Sequence, residues 1–253
     1  MSEPHLSDPE LDPQLARFLQ AREEAEGESC DLSAAELGDL FTKVEDDIEQ
    51  AEKSRAFWFR SRPTWMRRLL AAAVAGVIFL VASMLVLRED LASYPTLRMV
   101  LVLSSMAVLL GLAIHQALRP LHRPPLPNLT RAVIIGATLT ATCALALLPP
   151  PHPVPPVDRG TLVLHAMPCL MYGLLLGLPV YLALRVMSRG RNGAGSLLAA
   201  CAAGLLGNAS LQMHCPNNHP EHLLVGHFGV VVAFVGGLAL IHLTTRAFFR
   251  ESE

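Results

Sequence analysis

The chain has 253 residues, of which 52% are hydrophobic and 17% are charged, whereas about a quarter of the residues in a typical soluble domain are charged. This composition excludes an ordinary soluble domain and favours a membrane protein. The net charge of -2 conceals an asymmetry, because residues 1–53 hold 16 of the 22 acidic side chains beside only four basic ones. From residue 55 onward every basic side chain is arginine, which binds well to phosphates and headgroups.

Two short amphipathic helices are predicted in the acidic segment. Asp12 can cap the first, which has Pro13 at its first position. In the second, Ser33 and Glu36 have the spacing of a capping box. Its apolar stripe recurs at helical spacing and consists of Leu37, Leu40, Phe41, Val44 and Ile48. Because so short a segment cannot bury a large core, we expect it to fold fully only against a partner.

Six apolar runs follow, each close to the ~20 residues that a helix needs to cross a bilayer. They cover roughly residues 69–87, 98–117, 131–149, 161–186, 195–213 and 222–245. No short basic leader precedes them, so we expect no cleaved signal peptide. The predicted fold class is all-α, a six-helix transmembrane bundle with a short helical N-terminal segment. The predicted domains are residues 1–66, an acidic cytoplasmic segment with a basic neck, residues 67–247, the transmembrane domain, and residues 248–253, a cytoplasmic tail.

The distribution of arginine predicts the orientation. Thirteen arginines flank the spans on the side of the N-terminus, and only Arg88, Arg98 and Arg159 flank them on the other side. Loops rich in arginine stay in the cytoplasm. We therefore expect a multi-pass protein of the bacterial inner membrane with both termini in the cytoplasm.

Two of the spans have unusual compositions. The fifth is dense in alanine and glycine, and pairs such as Ala200 with Gly204 and Ala203 with Gly207 allow close helix approach, so we expect it at the centre of the bundle. In the fourth span, Pro168 and Pro179 predict kinks.

Candidate metal ligands gather in the string "LQMHCPNNHPEHLLVGH", residues 211–227, at the external ends of the fifth and sixth spans. In the fourth span, Cys169 lies about eight residues, or ~12 Å, below the outer end, with His165 one turn above it. Cys143 is placed similarly in the third span. The candidate ligands for zinc or another soft divalent metal are His165, Cys169, His214, Cys215, His219 and His222, and His227 is a further imidazole of the string.

The spacing within this string does not settle the chemistry. Pro216 and Pro220 make a continuous helix unfavourable, and His222 and His227 do not share a face of an α-helix at i+5. A thiol pair of Cys169 and Cys215 is the simpler hypothesis, because the external side permits oxidation. Membrane thiols and interfacial histidines are also common as packing and solvated residues without a function.

Several function classes remain open at this point. The acidic helices favour a docking surface for a basic, partly apolar partner, although charge runs are often only solvated faces. A metal or small-solute permease with an outer Cys/His uptake site is an alternative, disfavoured because no span carries the buried charged residue typical of ion pathways. A membrane oxidoreductase or cofactor-binding protein using the same cluster is a third.

Residues 165–227 carry a family resemblance. Cys169, Pro179, Arg189 with Gly190, a small-residue stretch at 195–210, and His214, Cys215 and Pro216 occur in the order seen in the second half of the NrsF-like family of six-span bacterial anti-sigma factors. The head from Leu32 to Arg68 also resembles the cytoplasmic segment of multi-pass anti-sigma factors. It lacks the His and paired Cys of the zinc-binding anti-sigma domain.

The resemblance implies a regulator rather than an enzyme. It implies that the acidic helices bind an extracytoplasmic-function sigma factor, with the lipid bilayer as the other partner and no direct contact with nucleic acid. It further implies that Cys169 and Cys215 correspond to the family's sensing cysteines, which respond to metal, oxidative or light stress.

Overall fold

The computed structural model describes residues 38–39, 41–46, 55–85, 87–120, 124, 126–149, 159–188 and 193–250. The chain divides into two compact units, Met1–Ser54 and Arg55–Glu253. In the first unit, the described residues are helical, and the hydroxyl of Thr42 donates to the carbonyl of Gly38 at 3.0 Å. Phe41 and Val44 are exposed there, while Leu37, Leu40 and Ile48 lie outside the described residues.

The second unit is helical. Its helices are α1 (Arg55–Ser61), α2 (Thr64–Leu85), α3 (Thr96–Ala117), α4 (Asn128–Ala146), α5 (Arg159–Met187), α6 (Gly193–His214), α7 (Pro220–His222) and α8 (Gly229–Arg250), and a π-helix, Leu223–Phe228, joins α7 to α8. Helices α2 to α6 each supply one segment long and apolar enough to cross a membrane, and α7, the π-helix and α8 together supply the sixth. No strand occurs in the described part of the chain. The all-α, six-span prediction is confirmed.

Helix α6 forms the centre of the bundle, as its composition predicts. In its membrane segment 83% of the residues are buried, against 17–28% in the other five. Gly204 permits close contact with α8, since a Cβ atom there would lie 2.8 Å from the Cα of Val231. Gly207 meets the backbone of Gly173 in α5, where an added Cβ would overlap the carbonyl oxygen. Glycine is therefore needed where α6 touches its neighbours.

Arginine side chains bind the helix ends at one end of the bundle, which we call the neck end. Nε of Arg60 donates to the carbonyl of Val186 at 3.1 Å, and Nη1 of the fully buried Arg67 donates to that of Met187 at 2.8 Å. Nη2 of Arg68 donates to the carbonyl of His115 at 3.0 Å. Cations stabilise the negative C-terminal ends of helices. The predicted boundaries grouped residues 55–66 with the cytoplasmic segment. In the structure these residues pack with the bundle at the neck end.

The opposite end of the bundle is formed by the turn from Cys215 to His219, and we call it the turn end. Along α5, Cys169 precedes Val186 by 17 residues, or ~26 Å at 1.5 Å per residue. This distance is close to the ~30 Å thickness of a bilayer core. The two ends therefore stand on opposite sides of the hydrophobic layer that the six spans define.

Candidate metal and thiol centre

Two prolines define the turn that carries Cys215. Helix α6 ends at His214, two residues before Pro216, because a residue that precedes proline disfavours helical geometry. The amide of Cys215 still donates to the carbonyl of Leu211 at 2.8 Å, so the thiol stays attached to the end of α6. Pro220 then begins α7 at its first position, where its missing N–H costs nothing. The prediction that the helix is interrupted here is confirmed.

The π-helix brings together two histidines that the sequence separates. In an α-helix, residues five apart point to different faces, and we therefore expected His222 and His227 to diverge. That expectation is wrong, because the segment from Leu223 to Phe228 is a π-helix, whose i to i+5 hydrogen bonds place such residues one above the other. The two imidazole centroids lie 5.7 Å apart, and both rings are buried.

Four soft ligand atoms converge between α5, the turn and the π-helix. The Sγ atoms of Cys169 and Cys215 are 3.8 Å apart, and Sγ of Cys215 lies 3.2 Å from Nε2 of His222. With His227 included, all four candidate ligand atoms lie within 4.8 Å of one another. Three of the four residues are buried, and Cys169 is half-buried. We call these four residues the thiol–imidazole cluster.

The thiol–imidazole cluster fits a tetrahedral soft metal ion. Zinc binds Cys₂His₂ sets with Zn–S distances of about 2.3 Å, which in a tetrahedron separate the two sulfurs by about 3.8 Å. The observed separation of the sulfurs is 3.8 Å. The buried Nε2 of His227 also has no hydrogen-bond partner among the described residues, which is costly unless a ligand occupies that direction. A dication with two thiolates would be neutral, which suits a buried site.

The same sulfur separation suits disulfide formation. A bond of about 2.05 Å needs the sulfurs to approach by less than 2 Å. Both cysteines are unbonded in this structure. The thiol pair favoured by the sequence is thus brought together by the fold.

The other candidate ligands lie outside the thiol–imidazole cluster. His165 is exposed, and its Nδ1 donates to the carbonyl of Thr161 at 2.7 Å. The ring of His214 packs against Tyr172, with centroids 4.9 Å apart. His219 lies 3.6 Å from the carboxylate of Glu221. Cys143 is likewise absent from the cluster. Of the expected set, the structure therefore brings together Cys169, Cys215 and His222, with His227 beside them.

Arg88 holds the end of α6 and was not singled out by the sequence. Its guanidinium forms a two-pronged ion pair with Asp90 at 2.6 and 2.8 Å and donates to the carbonyl of Gln212 at 3.2 Å. It also lies over the ring of Tyr94 at 4.2 Å. Gln212 in turn lies 3.4 Å from Nδ1 of His227. These contacts orient the residues that surround the thiol–imidazole cluster.

The pKa of the Cys215 thiol in the turn depends on the side chains that surround it. The hydrogen bond with Cys169 raises the pKa of the Cys215 thiol, and burial raises it further, while His222 and His227 act in the opposite direction. The raised pKa favours the neutral thiol of Cys215 over the thiolate. Because thiolate is the form that binds metal, metal affinity should rise with pH.

Gly226 allows the π-helix to approach α5. A Cβ atom there would lie 3.2 Å from the carbonyl oxygen of Ala166 and 3.3 Å from Cβ of Cys169. We expect Gly226→Ala to displace Cys169 by a few tenths of an ångström and to weaken zinc binding about tenfold, as for other supporting residues. Zinc titration of the purified protein measures this. Gly236→Ala is the matched control, because its Cβ would meet only Val232, at 3.9 Å, and equal affinities for the two variants would contradict the prediction.

Comparison with known proteins assigns most of the chain to one family. The family model NrsF, described as negative regulator of sigma F, matches residues 44–246. The match includes all six spans and the thiol–imidazole cluster, and it begins within the apolar stripe of the acidic segment. No curated protein and no solved structure matches the chain.

Proposed function

This chain belongs to the NrsF family of negative regulators of sigma F, and we propose that it holds an extracytoplasmic-function sigma factor at the bacterial inner membrane until stress acts on the thiol–imidazole cluster. The family supplies the coarse function, negative regulation of a sigma factor. The class of sigma factor, the binding segment and the stress are our proposal. The single observation that carries the sensing step is the convergence of four soft ligands at the turn end.

The acidic segment is proposed as the sigma-binding element. Residues 1–53 carry sixteen acidic and four basic side chains, and DNA-binding surfaces such as those of sigma factors are positively charged. Phe41 and Val44 are 62% and 47% exposed on one helical stretch, three residues apart and thus on neighbouring positions of one face. Large exposed apolar side chains in a charged helix favour a binding surface. In this proposal Leu37, Leu40 and Ile48 complete the stripe.

The proposed orientation places the neck end in the cytoplasm. The neck end contains Arg60, Arg67 and Arg68, and such an excess of arginine is typical of cytoplasmic flanks. The thiol–imidazole cluster would then face the opposite side of the membrane, where oxidants and metals first arrive.

Helix α5 supports a physical route between the two ends. It carries Cys169 at the turn end, and the carbonyls of Val186 and Met187 at its other end accept hydrogen bonds from Arg60 and Arg67. A disulfide would pull Cys169 toward Cys215 and shift the outer part of α5, whereas a metal ion would hold the two thiols near their present separation of 3.8 Å and so favour one packing of α5. A difference of a few kcal/mol between two packings is enough to change occupancy of a partner substantially.

Alanine at both exposed positions of the stripe tests the binding step. We expect Phe41→Ala with Val44→Ala to weaken binding of the full chain to the sigma factor encoded beside it by at least about 30-fold, since buried apolar anchors contribute about 2 kcal/mol or more. Binding is measured with the protein in nanodiscs. Thr42→Ala, on a different face of the same stretch, should change the affinity little. Wild-type affinity of the double variant would remove the stripe from the mechanism.

A further inference from the structure

Helices α2 and α3 leave an apolar groove between them, with α6 at its base. Both helices pack more extensively on α6 than on each other. The groove has a volume of about 350 Å³ and is lined by residues of α2 from Ala72 to Phe79, residues of α3 from Leu103 to Ile114, and Leu206 and Ala209 of α6. We call it the α2–α3 groove. Its volume falls in the range of about 300–1,000 Å³ that is typical of ligand sites.

Small residues keep the α2–α3 groove open to the membrane. Gly76 on α2 and Gly111 on α3 are exposed, and a Cβ atom added to either would meet nothing within 4 Å in the described chain. Ala72 and Ala107, one turn away on the same helices, are exposed as well. Unlike the glycines of α6, these glycines are not required for a contact between helices, although glycine is a poor helix former. Their effect is to widen the groove on the side that faces lipid.

The lining of the groove determines which chemical class can bind inside it. Every lining residue has an apolar side chain or is glycine. A ligand with a charged or hydrogen-bonding group inside the groove would bury that group without a partner, which is unfavourable. The lining therefore excludes headgroups, polar rings and metal ions from the interior of the groove and fits a hydrocarbon chain.

The length and depth of the groove match the acyl region of one leaflet. On α3 the groove runs from Leu103 to Ile114, which is ~16 Å along the helix axis at 1.5 Å per residue. One leaflet supplies about half of the ~30 Å hydrocarbon core. Ile114 lies near the end of α3 at Ala117, one residue before His115, whose carbonyl accepts the hydrogen bond from Arg68 at the neck end. The groove therefore lies mainly in the leaflet on the side of the neck end.

The width of the groove distinguishes a single chain from a helix of another protein. A volume of about 350 Å³ over a length of ~16 Å leaves a mean width of ~5 Å. This width suits one hydrocarbon chain, because carbon atoms in contact are about 4 Å apart. A helix with its side chains is ~10 Å across and is too wide to enter.

We propose that the α2–α3 groove binds one acyl chain of a membrane phospholipid from the leaflet at the neck end. Apolar side chains that face a gap lose dispersion contacts, and a hydrocarbon chain in the groove supplies these contacts along its length. Binding depends on shape and apolar contact and not on the charge of the headgroup. Because the acyl chain lies between two helices that both pack on α6, it fixes the separation of α2 from α3.

Native mass spectrometry, which counts bound lipids, tests the proposal. The full chain is purified in detergent, stripped of lipid, and titrated with palmitoyl-oleoyl phosphatidylcholine, whose headgroup has no net charge. We expect one phospholipid to bind before any other. Gly76→Leu with Gly111→Leu fills the groove and should weaken this first binding at least about tenfold, since lost burial of only about two methylene groups has that effect.

Two other exposed or half-buried glycines provide the matched control. Gly136 in α4 and Gly237 in α8 also meet nothing within 4 Å in the described chain, but they do not line the groove. Gly136→Leu with Gly237→Leu should therefore bind the first phospholipid as the wild type does. Wild-type binding in the groove-filling variant, or an equal loss in both variants, overturns the proposal.

Photolabelling of the wild-type protein tests the same site without any substitution. The phospholipid carries a diazirine near the middle of its palmitoyl chain and is supplied in nanodiscs. Peptides that cover residues 72–79 and 103–114 should be labelled at least about twofold more than exposed peptides of α8, because a bound chain dissociates more slowly than bulk lipid exchanges. Equal labelling of the two regions, or a dimer joined through residues 72–79 and 103–114, contradicts the proposal.

Discussion

Replacing Cys215 with serine should weaken the binding of zinc to the purified protein by at least about 100-fold, because a hydroxyl is a poor substitute for thiolate as a soft ligand. Cys215 contacts both Cys169 and His222, so its loss removes the centre of the thiol–imidazole cluster. Cys169→Ser should act in the same direction. Competition with a chromophoric chelator measures the affinity, which should fall as the pH is lowered because protons compete for the thiolates.

Cys201 provides the matched control for these variants. It is a fully buried thiol of α6, the helix that Cys215 directly follows, but lies outside the thiol–imidazole cluster. Cys201→Ser should therefore leave zinc affinity and the response of the bound sigma factor unchanged. Equal losses in Cys201→Ser and Cys215→Ser would indicate general damage to α6 and would contradict the proposed site.

Histidine variants separate metal binding from disulfide formation. If the signal is a metal, His227→Gln should weaken both zinc binding and metal-induced release of the sigma factor. If the signal is an oxidant, the same variant should still form the bond between Cys169 and Cys215, which a shift on a non-reducing gel detects, and release should persist. The cysteine variants abolish release in both cases. Release by both signals in Cys169→Ser with Cys215→Ser would remove the thiols from the mechanism.

The sequence predicted the bundle because membrane spans depend on a local property, the length of an apolar run. The central position of α6 was predictable for a similar reason, since small residues such as Gly204 and Gly207 allow neighbouring helices to approach closely. The pairing of Cys169 with Cys215 followed from threading the spans alternately through the membrane. Each of these inferences needs composition and connectivity, but not atomic packing.

His227 was left out of the predicted metal ligands because α-helical periodicity places it on a different face from His222. A π-helix changes that periodicity over six residues, and no residue type in "LLVGHF" specifies it. The close contact of Gly226 with Ala166 and Cys169 shows that tertiary packing is involved. Arg88 was missed for a related reason, because its partners Gln212 and Met213 are distant in sequence. The local sequence offered only an acidic residue, Asp90, two positions after Arg88.

Adding one methyl group at Gly207 should destabilise the bundle by about 1–3 kcal/mol, the usual cost of overpacking a tight interior. A Cβ atom at this position overlaps the carbonyl oxygen of Gly173, and backbone cannot move aside as a flexible side chain can. The free energy of unfolding in mixed micelles measures the effect. Gly111→Ala is the control, since its Cβ meets nothing within 4 Å, and alanine is the better helix former.

The same substitution should also alter the sensor, because Gly173 lies one turn from Cys169 on α5, and Gly207 on α6 lies eight residues before Cys215, which directly follows that helix. Forcing these helices apart increases the separation of the two sulfurs, so oxidative crosslinking of the thiols should slow in Gly207→Ala and remain at the wild-type rate in Gly111→Ala. Unchanged crosslinking in a destabilised Gly207→Ala protein would mean that the turn positions Cys215 independently of α6. The closeness of the thiols would then not depend on the glycine contact between α5 and α6.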